Sequence, residues 1–571
     1  MTTLGISAYY HDSAAALVKG GRIIAAAAEE RFNRQKHYKG FPVQACGFCL
    51  KEAGLSVDDL DMVVFYEKPF LKFERIIKNH IFNAPSSLGV FLKSMPIWLK
   101  ERLNMRRTIN RAFLSHFGMR PKEVGFCKHH LSHALLSFLS SPFKTSAVVI
   151  FDAVGEYSTT SIYRASSDGC TLLKEQLYPD SIGLFYSAIT YFLGFKVNSD
   201  EYKVMGLAPY GDRTSKEYST YKSIMEKYLL TINEDGSIIL NTSCFSFQHS
   251  LTMVDDKKWE SLFGIKRRVP DDPITQCHKD LALAAQNITE EIFARTVKYA
   301  KHITGEENLC IGGGCALNCS AIGKIKSLGI FEKIFVPFAP GDDGAAIGCA
   351  MVNDYKSFVA DDAPLSPFTG PEYTCEEVRA VLENGNVNHT YYKQAEDLYS
   401  AVVDELVNGK IIGWFQGRME FGPRALGNRS IIADARMADM KDRINGKVKY
   451  RESFRPFAPA IIDEYAAEVF EIHERSPYMM ATYQVRKECQ EMYPAITHID
   501  GSARVQTVGS ENGRFYDLLR HFHQATGSPL LLNTSFNTAG EPIVCSPEDA
   551  LRTFRESGMD VLVIDKFIIR K

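Results

Sequence analysis

No run of about 18 consecutive uncharged apolar residues occurs in the 571-residue chain, which excludes a hydrophobic membrane-spanning helix. The opening stretch, MTTLGISAYYHDSAAALV, has no basic start followed by an uninterrupted apolar core and cleavage site, so the expectation is a cytoplasmic protein with no membrane span. A large excess of either charge is missing too. The formal net charge is −2, which argues against a general polyanion binder and sets the expectation of no nucleic-acid partner. No G-x-x-x-x-G-K followed by Ser or Thr occurs, so the chain is not a P-loop enzyme. A second C-x-x-C is also lacking beside Cys46 and Cys49. The thirteen cysteines therefore read as reduced, mostly apolar-flanked core thiols rather than as a zinc or disulfide framework.

What is present is an ordinary globular composition, 45% hydrophobic and 23% charged, in a chain long enough for at least two domains. Residues 2–31 read as three strands (TLGISAYY, AAALV and RIIAAAAEER) separated by turns at His11-Asp12 and at Gly20-Gly21. Residues 145–177 repeat the plan, beginning with SAVVIFD, which ends at Asp152. Two such meanders, each leading into helices, predict a duplicated α/β core of the actin-like (ASKHA) type. In such a core, polar residues at the ends of the two first strands (His11, Asp12 and Asp152) face a central site. Periodicity is lost over residues 355–374, and the domain boundary is placed there, giving domains 1–358 and 359–571.

The tract CKHHLSHALLSF puts His129 and His133 at i and i+4 of a predicted helix, the separation at which two imidazoles grip one metal ion. A zinc-protease reading requires Glu after the first histidine, and His130 stands there instead. Two glycine-rich strand-to-helix turns follow. One runs through Gly312, Gly313 and Gly314; the other carries Asp342 and Asp343. Such turns permit close backbone approach and offer free N–H groups to phosphate. Beyond the boundary, Arg424, Arg429, Arg436, Arg443, Arg451 and Arg455 crowd glycine and proline turns, where guanidinium forks suit phosphate and carboxylate oxygens. LLLNTSFNTAGEPIV adds Asn533 and Asn537, amides suited to a neutral planar group.

As an ordered set, HDSAAALV, AEERFNRQKH, KHHLSHA, FDAVGE, KVMGLAPYG, GGGCALN, GDDGAAIG, GRMEFGPRALGNRSI, FRPFAPA and LNTSFN resemble the antibiotic and nodulation-factor O-carbamoyltransferase family, nearly end to end. The resemblance implies a smaller YrdC-like α/β C-terminal domain that makes carbamoyl-adenylate from carbamoyl phosphate and ATP (with Mg). It implies further that the larger N-terminal domain transfers the carbamoyl group to a hydroxyl of a small molecule or sugar. It implies iron(II), or another first-row divalent metal, held by His129, His133, Asp152 and Asp342. Two imidazoles and two carboxylates suit Fe, Mn or Zn without choosing among them.

His11 is then the candidate base for the acceptor hydroxyl, because an imidazole near its ordinary pKa takes a proton at neutral pH. Lys36, as a catalytic residue, and Lys203 are expected to meet phosphate or the carbamoyl oxygen. Asn318, with the three glycines, is expected at the nucleotide. Arg424, Arg455, Arg504 and Asn533 match the positions that hold carbamoyl phosphate and the adenylate. Two other readings stay open: a tRNA threonylcarbamoyladenosine-type transferase, which has no need of the arginine-rich second domain, and a nucleotide-gated binding module, which has no use for carbamoyl phosphate. Residues 68–111 carry ten Lys or Arg against two Glu, interleaved with apolar residues at helical spacing. They read as an amphipathic lid, a partner surface, a groove for an anionic or lipid-linked acceptor, or a solvated helix pair. Pairing as a homodimer is compatible with all of this.

Overall fold

The computed structural model describes residues 1–353, 355 and 365–571. Two compact units result: Met1–Ala26 with Lys39–Leu365, and Ala27–Tyr38 with Ser366–Lys571. The expected boundary between residues 358 and 359 lies outside the described residues. The excursion of Ala27–Tyr38 into the second unit was not visible as a composition change.

In the first unit, β1 (Thr2–Ser7), β2 (Ala14–Lys19), β3 (Arg22–Ala28), β4 (Met62–Phe65) and β5 (Val124–Phe126) form one sheet in the order β3-β2-β1-β4-β5. β1 runs antiparallel to β2 and parallel to β4, which is parallel to β5. A second sheet begins with β6 (Ser146–Phe151), β7 (Ser158–Ser166) and β8 (Gly169–Leu177); β9 (Leu230–Ile232) and β10 (Ile238–Leu240) form a separate hairpin. β11 (Asn308–Gly312) and β12 (Lys333–Phe335) complete it in the order β8-β7-β6-β11-β12. Here β6 is antiparallel to β7 and parallel to β11, which is parallel to β12. Order and sense are therefore the same in both sheets. This is the duplicated actin-like α/β plan, and its two first strands, β1 and β6, are buried along their whole length, as central strands covered on both faces must be. β3 stops at Ala28 instead of running on through Arg31. Glu30–Asn33 is a helical turn, and Arg31 is spent on the Gly422 carbonyl at 2.7 Å.

Two helices between the sheets carry the chemistry-bearing residues. His129–Leu139 packs on β6 and β11, Asp342–Ala350 packs on β1 and β2, and the two helices pack on each other. Their approach depends on Gly348, where an added Cβ would lie 1.8 Å from the Ser132 carbonyl oxygen. The basic segment is helical, as its spacing predicts: Pro69–Phe82, Leu88–Ile97, a wider turn over Trp98–Arg102, then Met105–Phe117.

In the second unit the strands are β13 (Thr390–Tyr391), β14 (Ile412–Phe415), β15 (Arg429–Ala433), β16 (Ala458–Ile462), β17 (Thr482–Gln484), β18 (Ser502–Arg504), β19 (Gln506–Val508), β20 (Leu530–Ser535), β21 (Val561–Ile564) and β22 (Phe567–Arg570). β17 and β18 pair by themselves, and the others make one mixed eight-stranded sheet, β13-β22-β21-β14-β15-β20-β16-β19. Alternation sorts its side chains: Ile431 and Ala433 enter one core while Ile432, with Ile412 and Trp414, enters the other.

Candidate active site

The helical spacing of His129 and His133 brings their Nε2 atoms to 3.2 Å from each other. Asp152, just past the end of β6, places Oδ2 at 3.2 Å from His129 Nε2. Asp342, in the first turn of its helix, places Oδ1 at 3.5 Å from both imidazoles. All four side chains are buried, and one ligand atom from each lies within 4.8 Å of the others. Despite burial, which works the other way, the imidazoles hold both carboxyls below the usual range. The Nδ1 atoms of His129 and His133 are buried with no partner among the described residues. Convergent nitrogen lone pairs and carboxylate oxygens with so little internal hydrogen bonding form a donor set that fits a first-row divalent cation.

Three neighbours shape this cluster, and motif reading singled out neither Glu156 nor Tyr66 among them. Glu156 accepts from the His129 backbone N–H at 3.1 Å and from that of Lys68 at 2.7 Å, so it caps the helix that carries both histidines. Tyr66 lays its ring 5.2 Å from that of His129. Gly314 donates its N–H to Asp152 Oδ1 at 3.2 Å, orienting that carboxylate. The preceding Gly313 has φ of +86° and would press a Cβ to 2.2 Å from the Phe151 carbonyl, so the turn admits only glycine. His130 stands apart. Its Nδ1 pairs with Ser161 Oγ at 2.7 Å, and burial pushes its imidazole down to about 3, so it is neutral.

His11 reaches the cluster, with Nε2 3.8 Å from Asp342 Oδ2 and Nδ1 2.8 Å from Asp12 Oδ2. Burial alone would lower its pKa, but Asp342 and Asp12 outweigh that and raise it to about 9. The imidazole is therefore not near its ordinary value and carries its proton at neutral pH. Asn318 spends its Oδ1 on the Ala321 N–H at 3.1 Å, capping the helix Cys319–Ser327, and exchanges hydrogen bonds with the Gln286 amide at 3.0 Å. Lys203 Nζ lies 3.2 Å from Asp200 Oδ2. The turn through Gly312 and Gly313 abuts the strand end that carries Asp152.

The second unit gathers another set. Asn533 on β20 is buried, and its amide orientation follows from a relay anchored on backbone. The Leu426 carbonyl accepts from Gln506 Nε2 at 2.9 Å, so Gln506 Oε1 faces Asn533 and accepts from its Nδ2 at 2.8 Å. Asn533 Oδ1 is left as a buried acceptor with no partner among the described residues. Nδ2 also approaches the carbonyl of Ala425, next to Arg424, at 3.3 Å, and Arg504 lies two residues before Gln506.

Lys449, on the helical turn before Arg455, donates to Ser535 and, at 2.8 Å, to Asn537 Oδ1. Its ammonium is pushed well below the usual lysine range by burial and then by the charges of Arg451, Arg455 and Lys36. Lys36 thus belongs with this cationic group, in a different unit from His11. Arg429, by contrast, is a buried staple. It donates to the carbonyls of Gln416 at 2.7 Å, Asn428 at 2.9 Å and Pro371 at 3.1 Å. Arg436 is forked onto Asp434 at 2.6 Å.

A family model described as the carbamoyltransferase N-terminus matches residues 2–351, and one described as the carbamoyltransferase C-terminus matches residues 403–571. The chain belongs to the carbamoyltransferase family. This carbamoyltransferase is 44% identical to the uncharacterized protein sll1178 of Synechocystis, over 100% of this chain and 96% of that one. It is 35% identical to the nodulation protein NolNO of Sinorhizobium fredii, over 99% of this chain and 79% of that one. Among solved structures, (R)-2-hydroxyglutaryl-CoA dehydratase component A of Acidaminococcus fermentans aligns with 62% of this chain and 99% of its own, at 14% identity and a TM-score of 0.33. The duplicated plan rests on the two sheets themselves. Among the described residues of the carbamoyltransferase no helix is long and apolar enough to cross a membrane.

Proposed function

We propose that this carbamoyltransferase makes carbamoyl-adenylate from carbamoyl phosphate and ATP in the second unit and transfers the carbamoyl group to an acceptor hydroxyl, on a small molecule or sugar, in the first. The observation that carries the reading is Asn533 Oδ1, a buried acceptor on β20, the strand whose Ser535 accepts from Lys449. A carbamoyl group presents an NH₂ that an acceptor recognises and an anionic end that guanidinium and ammonium groups hold. Water cleaves carbamoyl phosphate to carbamate and phosphate. A carbamate oxygen then attacks the α-phosphorus of ATP, and pyrophosphate leaves with the bond that breaks. Arg424, Arg455 and Arg504, with Lys36, supply the positive charge that these anionic reactants need. Free carbamate is short-lived in water, so a closed cationic pocket is what the chemistry requires.

In the transfer step the acceptor oxygen bonds to the carbamoyl carbon, the bond to the adenylate oxygen breaks, and AMP leaves. His129, His133, Asp152 and Asp342 would hold a first-row divalent ion such as iron(II), which supplies Lewis acidity toward the phosphate and offsets the carboxylate charge. Asp12 orients the His11 ring through Nδ1, and Nε2 takes the hydroxyl proton once the ring has lost its own. The turn Gly312–Gly314, Lys203 and Asn318 serve the nucleotide. The test is carbamoyl-phosphate-dependent exchange of labelled pyrophosphate into ATP. The reading expects exchange in the wild type and its loss in Asn533→Ala; a wild type that exchanges equally well without carbamoyl phosphate overturns it.

A further inference from the structure

Among the described residues nothing covers the outer side of the basic helical segment, which is apolar where a solvated helix would be polar. Phe70 and Phe82 are 72% and 84% exposed, and Ile81, Leu88, Leu92 and Leu99 are exposed with them. In the helix Leu88–Ile97, Met95 turns inward while Leu88, Leu92 and Ile97 face out, and Lys93 is its one charge. A helix apolar on both sides is made for burial on both sides.

Five of the segment's ten cations are likewise uncompensated. On the inward side Lys72 pairs with Glu67 at 2.6 Å and Arg75 lies over the Tyr178 ring at 5.1 Å. Lys78 pairs with Glu74 at 2.6 Å. Lys93, Lys100, Arg106, Arg107 and Arg111 are exposed, and none has an ion-pair partner among the described residues. Residues 68–111 thus carry ten Lys or Arg against two Glu in a chain of net charge −2.

We propose that this segment docks the enzyme on an anionic membrane surface, its phenylalanines and leucines entering the headgroup boundary and its lysines and arginines facing the phosphates. Exposed apolar side chains beside unpaired cations are the two components that interfacial helices use, and neither is sufficient alone. Symmetric pairing with a second copy would bring the same excess of positive charge against itself, so charge complementarity selects the lipid surface.

The test is co-sedimentation of the full chain with vesicles of phosphatidylcholine mixed with phosphatidylglycerol, and with vesicles of phosphatidylcholine alone. The wild type should partition onto the anionic vesicles and little onto the neutral ones. R106Q/R107Q should weaken partitioning about thirtyfold, from two lost surface charges, and F82S/L92S by about tenfold or more. All four side chains are exposed, so thermal unfolding should be unchanged, and a variant that melts like the wild type but no longer binds vesicles confirms the surface. A wild type that ignores anionic vesicles overturns the proposal. So does R106Q/R107Q binding as tightly as the wild type. Loss of a concentration-dependent dimer in F82S/L92S, without any vesicle binding by the wild type, would assign the surface to self-association instead.

Discussion

His129 and His133 face each other through their Nε2 atoms at 3.2 Å, with Asp342 Oδ1 3.5 Å from both. Two imidazole nitrogens brought this close, with carboxylate oxygens converging on them, make a poor hydrogen-bonded core and a good ligand pair. Purified protein should therefore carry one first-row transition metal per chain. His129→Ala and His133→Ala should each lose it, while His130→Ala should keep it, because that ring is tied to Ser161 instead. Elemental analysis decides the point, and normal metal in both of the first two variants would rule out the site.

The same cluster sets a pH dependence whose sign differs between the metal-free and metal-loaded enzyme. Burial opposes the charged form of His129 and His11, but Asp342, with Asp152 or Asp12, raises each to about 9. Both values lie above the ordinary imidazole value of about 6.5. Their stabilisation of the metal-free protein is thus fully present below about pH 6.5 and lost as the pH rises through about 9. Metal needs unprotonated imidazoles, so its contribution runs the other way. Thermal unfolding with and without chelator should show a gap in Tm that widens as the pH rises over this window. A constant gap would mean that these imidazoles do not titrate against the metal.

Spacing alone places His129 and His133 together, because helical periodicity is local. The repeated strand pattern likewise makes the two sheets legible, since β1 and β6 are continuous apolar runs bounded by turns. What escapes is whatever depends on distant chain. Glu156 caps the histidine helix from the loop after β6, and nothing in its neighbours marks it as a cap. Asn318 spends its amide on Ala321 and on Gln286, a residue of the helix Gln276–Thr304 that its own motif does not reveal. Arg429 and Arg424 look alike in GPRALGNRS, yet Arg429 is a fully buried staple on backbone carbonyls. A guanidinium's partners are set by tertiary contact, and motif reading sees only its charge.

Close helix approach yields a third prediction. Gly348→Ala would set a Cβ 1.8 Å from the Ser132 carbonyl oxygen, in a helix pair where both members bear residues of the His–Asp cluster. The backbone must shift, at a cost of at least about 1–3 kcal/mol for overpacking a filled interior. Gly20→Ala is the useful contrast in the opposite sense, since open space surrounds its Cβ and the penalty comes only from φ of +56°. Denaturant unfolding should find Gly348→Ala the more destabilised of the two, and metal affinity should fall with it. Equal stability would mean that the two helices have room to separate.

The last prediction separates the two half-reactions, because the arginines and Asn533 lie in one unit while His11 and the His–Asp cluster lie in the other. Arg455→Ala removes a fork from the cationic group around Lys449 and should abolish carbamoyl-phosphate-dependent pyrophosphate exchange, by on the order of 2–4 kcal/mol in the transition state. His11→Ala leaves that group untouched. It should keep exchange and slow only transfer to the acceptor, by roughly the 10² to 10⁴ expected of a lost proton acceptor. Preformed carbamoyl-adenylate should then rescue Arg455→Ala at least in part and leave His11→Ala impaired. A third variant guards the interpretation: Asp12→Asn keeps the hydrogen bond to His11 Nδ1 but removes the charge beside it. It should lower the pH at which transfer becomes active without changing exchange, because losing one of the carboxylates that raise His11 lowers its pKa. If Arg455→Ala and His11→Ala lose exchange equally while unfolding like the wild type, activation and transfer share one site and the division between the units is wrong.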